Sequence, residues 1–167
     1  MVRNAVKEDS KKMANIIVNG WKNAYRGLID DEFLDNMNEE ILSKNWERNI
    51  LSQNEDNHIC VYEENGKVQG IIRFGVPDDK EDKLHNAEIH VLYVETSLKR
   101  QGIGSKMFEF AKDYFKKNNM NNLVTWCLKG NNQGLNFYKK MGGKIFGERK
   151  SVVNKLEVEE YGIEYKI

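Results

Sequence analysis

Proline is almost absent from the 167 residues: Pro77 is the only one. That excludes a proline-rich linker or recognition protein. Cysteine is nearly as scarce. Cys60 and Cys127 are too few for a disulfide scaffold, and without an export signal both thiols are expected to be reduced. No stretch approaches the ~18 apolar residues that span a bilayer. Residues 1–9 include Glu8 and Asp9 where a signal peptide needs an apolar run, so a cytoplasmic protein with no membrane partner is expected. An excess of one charge sign is missing too. Lys and Arg number 26, Asp and Glu 26, and a neutral chain lacks the concentrated basic surface that nucleic acid or anionic lipid requires. With 40% hydrophobic and 31% charged residues and no repeat or biased segment, the chain reads as one folded domain over residues 1–167.

What is present is periodic. Met13, Ile17, Trp21, Ala24 and Leu28 recur at steps of three and four, one face of a helix. Ile41, Leu42, Trp46 and Ile50 repeat the pattern after an acidic turn around Asp30–Glu32. The period then drops to two. Residues 58–63 and 68–76 read as strands joined by Asn65-Gly66, a strong hairpin signal, and a solvated loop follows over 77–82. Ala87–Val94 is the most strand-like run. Met107, Phe108, Ala111, Tyr114 and Phe115 mark a helical face ended by Asn118-Asn119, and Leu123–Leu128 a further strand. Leu135, Tyr138 and Met141 mark a short helix stopped by Gly142-Gly143, and strands near 144–153 and 156–165 follow. With a short strand near Val2, the expected fold is a mixed α/β sheet of about seven strands with about four helices. The strand–helix–strand unit in the middle implies a central parallel pair flanked by antiparallel hairpins.

Leu98-Lys99-Arg100-Gln101-Gly102-Ile103-Gly104-Ser105 joins a strand to a helix. Two glycines at a helix mouth leave backbone N–H groups bare and let a bulky group approach, and the helix dipole and two cations favour a phosphate there. The residues do not form a P-loop, and Met107 stands where a dinucleotide fingerprint needs its third glycine. A plain strand-to-helix turn is the alternative.

Val94-Glu95-Thr96-Ser97-Leu98-Lys99-Arg100-Gln101-Gly102-Ile103-Gly104 resembles the acetyl-CoA signature of the GNAT family of N-acetyltransferases. Lys99 stands where that pattern has Gln or Arg. Downstream, Asn131 to Gly143 resembles the family's Asn-x-x-Ala-x-x-x-Tyr segment, with Gly134 in place of Ala and Gly143 in place of the usual aromatic. The opening helix, with Trp21, Tyr25 and Gly27-Leu28-Ile29, is similar to a bacterial branch. The resemblance covers nearly the whole chain and implies the GNAT fold, acetyl-CoA as cosubstrate and acetyl transfer to an amine. It implies that backbone groups of Lys99, Arg100, Gln101, Gly102, Ile103, Gly104 and Ser105 cradle the diphosphate. The pantetheine arm would add to the strand edge at Leu92, Tyr93 and Val94, with Asn131 holding the arm, although Asn131 could equally cap its helix.

The resemblance also implies that Tyr138 protonates the leaving sulfur, a core aromatic being the alternative. Glu88 stands at the register of a general-base glutamate. On a regular strand Glu88, His90, Leu92 and Val94 would share one face, and Ile89, Val91 and Tyr93 the other. His90 could relay a proton or be a satisfied core histidine. His85 and His90 fall on opposite faces with no third ligand nearby, so no metal site is expected. Trp21, Tyr25, Phe33, Arg73, Phe74, His90 and Trp126 are the acceptor-pocket candidates. The expected acceptor is a primary amine on a small molecule or peptide, attacked directly in a ternary complex. A homodimer is compatible with the family, and a non-catalytic acyl-CoA-binding or sensor module is the rival reading.

Overall fold

Period-two burial builds the sheet. The computed structural model describes residues 1–153 and 155–167. In β2 (Asn57–Glu64), Ile59 and Val61 are buried on one face and Cys60 and Tyr62 on the other; β3 (Lys67–Gly75) divides Ile71 from Ile72 and Phe74 in the same way. Their two-residue turn has Asn65 and Gly66 at φ of 53° and 71°, the left-handed pair that matches strand twist. With β1 (Val2–Asn4), β4 (Ala87–Val94), β5 (Asn122–Leu128), β6 (Lys144–Val153) and β7 (Leu156–Lys166), these make seven strands in the order β1-β2-β3-β4-β5-β7-β6. All neighbours are antiparallel except β4 and β5.

Helices cover both faces. On one, α1 (Ser10–Tyr25) and α3 (Glu39–Leu51) press Met13, Ile16, Ile17, Trp46 and Ile50 onto Ile59, Val61 and Ile71. On the other, α4 (Ile103–Lys117) buries Met107, Phe108, Ala111 and Phe115 against Ile72, Phe74 and Ile89, and α5 (Asn132–Lys140) packs beside them. The acidic turn after α1 is helical: Asp31–Asp35 forms α2, because the Asp30 carboxylate accepts from the Glu32 N–H and caps it. α4 ends at Lys117 and α5 at Lys140, where the Asn and Gly pairs predict.

Two irregularities in β4 position the site. First, Phe74 stands opposite Ile89 and Arg73 opposite Val91, so His90 is the extra residue of a β-bulge. The bulge overturns the expectation of unbroken alternation. Ala87, Ile89, Leu92 and Val94 pack on the α4 layer, while Val91 and Tyr93 pack on the α1 layer with Glu88 and His90 beside them. Phe74 is corrected with them: it faces the α4 layer, stacked on His58 and edge-on to Phe115, away from any acceptor pocket.

Second, β4 and β5 pair only at Ala87–Leu123, Glu88–Val124 and Ile89–Thr125. At that last rung the buried Thr125 Oγ1 donates to the Ile89 carbonyl at 2.9 Å. Beyond it β4 stays with β3 and β5 with β7, and the strands part. Thr125→Val keeps the shape but leaves the Ile89 carbonyl without its buried donor, which costs about 1–3 kcal/mol. The expected outcome is an unfolding free energy lowered by that amount, seen as a lower denaturant midpoint with an unchanged m-value.

Candidate active site

The parted strands hold a cleft of about 690 Å³, walled by the outer half of β4, by Trp126 and Cys127 of β5, by the 98–105 loop, by the end of α1 and by α5. Its charge is one-sided. Lys99, Arg100 and Lys140 line it and, among the described residues, no Asp or Glu does. In a chain of zero net charge this sorting gives the cleft a local positive potential.

The loop supplies the contacts that an anion needs. Arg100 and Gly102 take left-handed φ of 66° and 82°, and Gly102 starts α4. The helices α2, α3 and α5 are capped by the side chains of Asp30, Asn38 and Asn131; α4, like α1, has no side-chain cap. The N–H groups of its first turn therefore face the cleft without an internal partner. A Cβ on Gly104 would meet only ordinary contacts, 3.4 Å from the Phe137 ring and 3.6 Å from Leu92. Packing within the chain therefore does not require glycine there. The Lys99 ammonium donates to the side-chain oxygens of Asn23 and Gln133 at 2.6 and 3.0 Å, both neutral. Burial holds its pKa below the usual lysine value, and the cation has no carboxylate partner among the described residues.

On the β4 side, residues Leu92 to Val94 pair with β3, and every second backbone group turns the other way, to the edge that β5 has left. Tyr93 Oη lies 3.0 Å from Tyr25 Oη, and burial pushes both phenols above the ordinary value. Tyr138 faces the cleft from α5. Burial raises its phenol strongly, the Thr125 hydroxyl beside it works in the opposite direction, and the group stays protonated at neutral pH. Tyr165 Oη donates to the Tyr138 carbonyl at 3.1 Å and pins this end of α5. Asn131 lines the cleft while its side chain accepts from the Gly134 N–H at 3.0 Å, so the residue is a helix cap. Glycine at 143 is explained by space: a Cβ there would collide with Ile163 and Tyr165.

His90 stands at the back of the cleft. Its side chain is 4% exposed. Nδ1 lies 3.2 Å from Glu88 Oε1 and 3.3 Å from Asp78 Oδ2, and yet neither ring nitrogen has a hydrogen-bond partner. Asp78 is fixed by Arg73, which donates to both of its oxygens, and Glu88 Oε2 accepts from the Asp78 N–H. Glu88 itself is buried and does not reach the wall; His90 stands between it and the cleft.

A narrower slot of about 270 Å³ opens from the cleft and shares Tyr25, His90, Val91, Tyr93 and Trp126 with it. Of the residues expected at an acceptor pocket, Trp21, Tyr25, His90 and Trp126 meet here. Phe33 reaches only the edge of Trp21, and Arg73 is committed to Asp78 and Asn57. In the glycine loop Gln101 is exposed and lies off the wall, whereas Lys99, Arg100, Gly102, Ile103, Gly104 and Ser105 form it. Sequence reasoning missed Trp46 and Glu160, which the fold brings from α3 and β7. Trp46 was visible as a helical core position; Glu160 carries no local signal.

The cleft between the parting parallel strands thus combines cations, a free strand edge and the open start of α4. The model of the acetyltransferase (GNAT) family matches residues 21–143, and the chain belongs to that family. It is 22% identical over 162 residues to the uncharacterized N-acetyltransferase YuaI of Bacillus subtilis, covering 97% of this chain and 90% of that one. The fold matches that of the PaiA N-acetyltransferase from Thermoplasma acidophilum in complex with coenzyme A, with a TM-score of 0.80, 19% identity and coverage of 100% and 98%. YncA of Salmonella typhimurium with acetyl-CoA superposes with a TM-score of 0.70 at 16% identity, over 99% and 92% of the two chains. No helix among the described residues is long and apolar enough to cross a membrane.

Cys127 is the cysteine on the cleft wall, and burial, with Glu160 nearby, pushes its thiol up to about 11. At neutral pH its thiolate fraction is then roughly a hundredfold or more below that of a free cysteine. Alkylation of the folded protein followed by mass spectrometry is expected to leave Cys127 unmodified under conditions that label a free thiol fully, with labelling rising steadily as pH is increased.

Proposed function

We propose that the chain transfers the acetyl group of acetyl-CoA to a primary amine by direct attack in a ternary complex. The observation that carries this reading is the arrangement around His90: a buried imidazole without hydrogen-bond partners stands where the cation-lined cleft meets the acceptor slot. The cleft fits the thioester. The N–H groups from Gly102 to Ser105, with Lys99 and Arg100, would take the diphosphate, and the free edge at Leu92, Tyr93 and Val94 would pair with the amides of the pantetheine arm. A backbone N–H on that edge would polarise the thioester carbonyl. Asn131 lines the far side of the arm's path.

The reaction needs an unprotonated amine, since an alkyl ammonium with a pKa near ~10 has no free electron pair. Glu88 supplies the base function through His90. The carboxylates of Glu88 and Asp78 face Nδ1 and would hold the tautomer whose proton sits on that nitrogen, which leaves the Nε2 lone pair to take the proton. The amine nitrogen then bonds to the carbonyl carbon, the carbon–sulfur bond breaks, and the Tyr138 hydroxyl protonates the departing sulfur; the surplus proton that the nitrogen loses as the amide forms returns Tyr138 to its phenol. Protonated Cys127 is a poor nucleophile, which favours direct transfer over an acetylated cysteine.

The test is release of free CoA thiol from acetyl-CoA by the purified protein across a panel of amines. Amine-dependent release is expected; tight acetyl-CoA binding with no release for any amine would leave the sensor-module reading instead. Tyr138→Phe should lower kcat about a hundredfold or more with little change in acetyl-CoA affinity. His90→Gln and Glu88→Gln should each lower kcat and flatten its rise from acidic to neutral pH. An unaltered profile in both variants removes the base assignment. Gly104→Ala should melt like the parent while binding acetyl-CoA about tenfold more weakly, as calorimetry would show; equal affinity contradicts the backbone cradle.

A further inference from the structure

All three tryptophans of the chain line one cavity. Trp21 comes from α1, Trp46 from α3 and Trp126 from β5, and all face the slot of about 270 Å³ that opens beside His90. Its remaining walls are built the same way. Ile17, Trp21 and Tyr25 follow each other at steps of four along α1, Leu42 and Trp46 at a step of four along α3, and Val91 and Tyr93 at a step of two along β4. Each of the three elements thus presents an apolar stripe to the same space.

Glu160 from β7 supplies the one carboxylate among the described lining residues. It is spoken for: Arg149 Nε donates to Glu160 Oε2 at 2.8 Å, and the guanidinium lies 4.0 Å from the Trp126 ring centre. The exposed acidic run before α3 does not substitute for it, because none of its carboxylates lines the slot. A second ammonium carried into the slot would therefore find rings but no free anion. Cation–π attraction to a ring is smaller than the cost of stripping water from a primary ammonium whose N–H donors stay unmatched. The volume suits an apolar body, since a cavity of roughly 150 Å³ already takes a benzene ring.

We infer that the acceptor is a monoamine with an apolar tail, an alkylamine or arylalkylamine of about six to nine carbons, whose nitrogen meets His90 while its tail fills the tryptophan slot. The inference rests on the acetyltransferase reading and narrows its substrate class. It sets polycationic and polyhydroxylated amines aside.

The decisive comparison is hexylamine against 1,5-diaminopentane, which have the same length and differ in one methyl group against one ammonium. Hexylamine is expected to have a kcat/KM about tenfold or more higher, and the series from butylamine to hexylamine should gain roughly three- to fourfold per methylene. Arg149→Gln frees Glu160 and is expected to shrink the preference about fivefold or more through improved use of the diamine. Because every tryptophan lies in the slot, intrinsic fluorescence reports occupancy without turnover. Hexylamine should change it saturably, and 1,5-diaminopentane at the same concentration should not. Equal use of the two amines, or a preference for the diamine, overturns the inference while leaving acetyl transfer intact. No acetylation of any amine, despite bound acetyl-CoA and a saturable fluorescence response to hexylamine, overturns the transferase reading but keeps the apolar-amine site. Absence of that response overturns the site.

Discussion

The site depends on one short ladder. β4 and β5 are held together by three rungs and the Thr125–Ile89 hydrogen bond, and are then pulled apart because each keeps a different neighbour. Parallel strands that separate leave backbone donors and acceptors facing each other across a gap too wide to close. Buried in the chain, such groups would be costly; opened to a cleft, they become the edge on which an extended, amide-bearing ligand can lie. The cleft is thus a consequence of incomplete sheet pairing rather than of a hole between packed layers.

The bulge at His90 adds the second constraint. One extra residue in β4 turns the strand over, so Leu92 and Val94 join the α4 layer and Val91 and Tyr93 the α1 layer. Without it the strand would present its apolar outer residues to the opposite layers, since a shift of one residue exchanges the two faces. The same irregularity brings Glu88 and His90 together at 3.2 Å and leaves the imidazole between a carboxylate pair and the cavity.

Charge is sorted as carefully as apolar surface. The chain carries equal numbers of acids and bases. Acids pair with Arg3, Arg26, Arg73, Lys129 and Arg149, whereas Lys99, Arg100 and Lys140 face the cleft with no ion-pair partner among the described residues. Behind them the slot carries one neutralised carboxylate and a wall of rings. Two adjoining spaces, one cationic and one apolar, thus meet at His90 with opposite solvation.

Much of this was legible in the chain itself, wherever the controlling interaction is local. The Asn65-Gly66 turn, the strand at 87–94, the ends of α4 and α5 and the glycine loop are set by backbone preferences and by hydrophobic periods within a few residues. The loop's open N–H groups follow from the same short range, since a helix start leaves them bare whatever lies at a distance. Tertiary structure alone decided which face of β4 each side chain takes, that Phe74 belongs to the core and that Glu88 lies behind His90. It also decided that Trp46 and Glu160 meet at one slot from opposite ends of the chain. Those outcomes depend on strand register and on contacts between residues dozens of positions apart, where a single inserted residue reverses every later side chain and no local pattern records it.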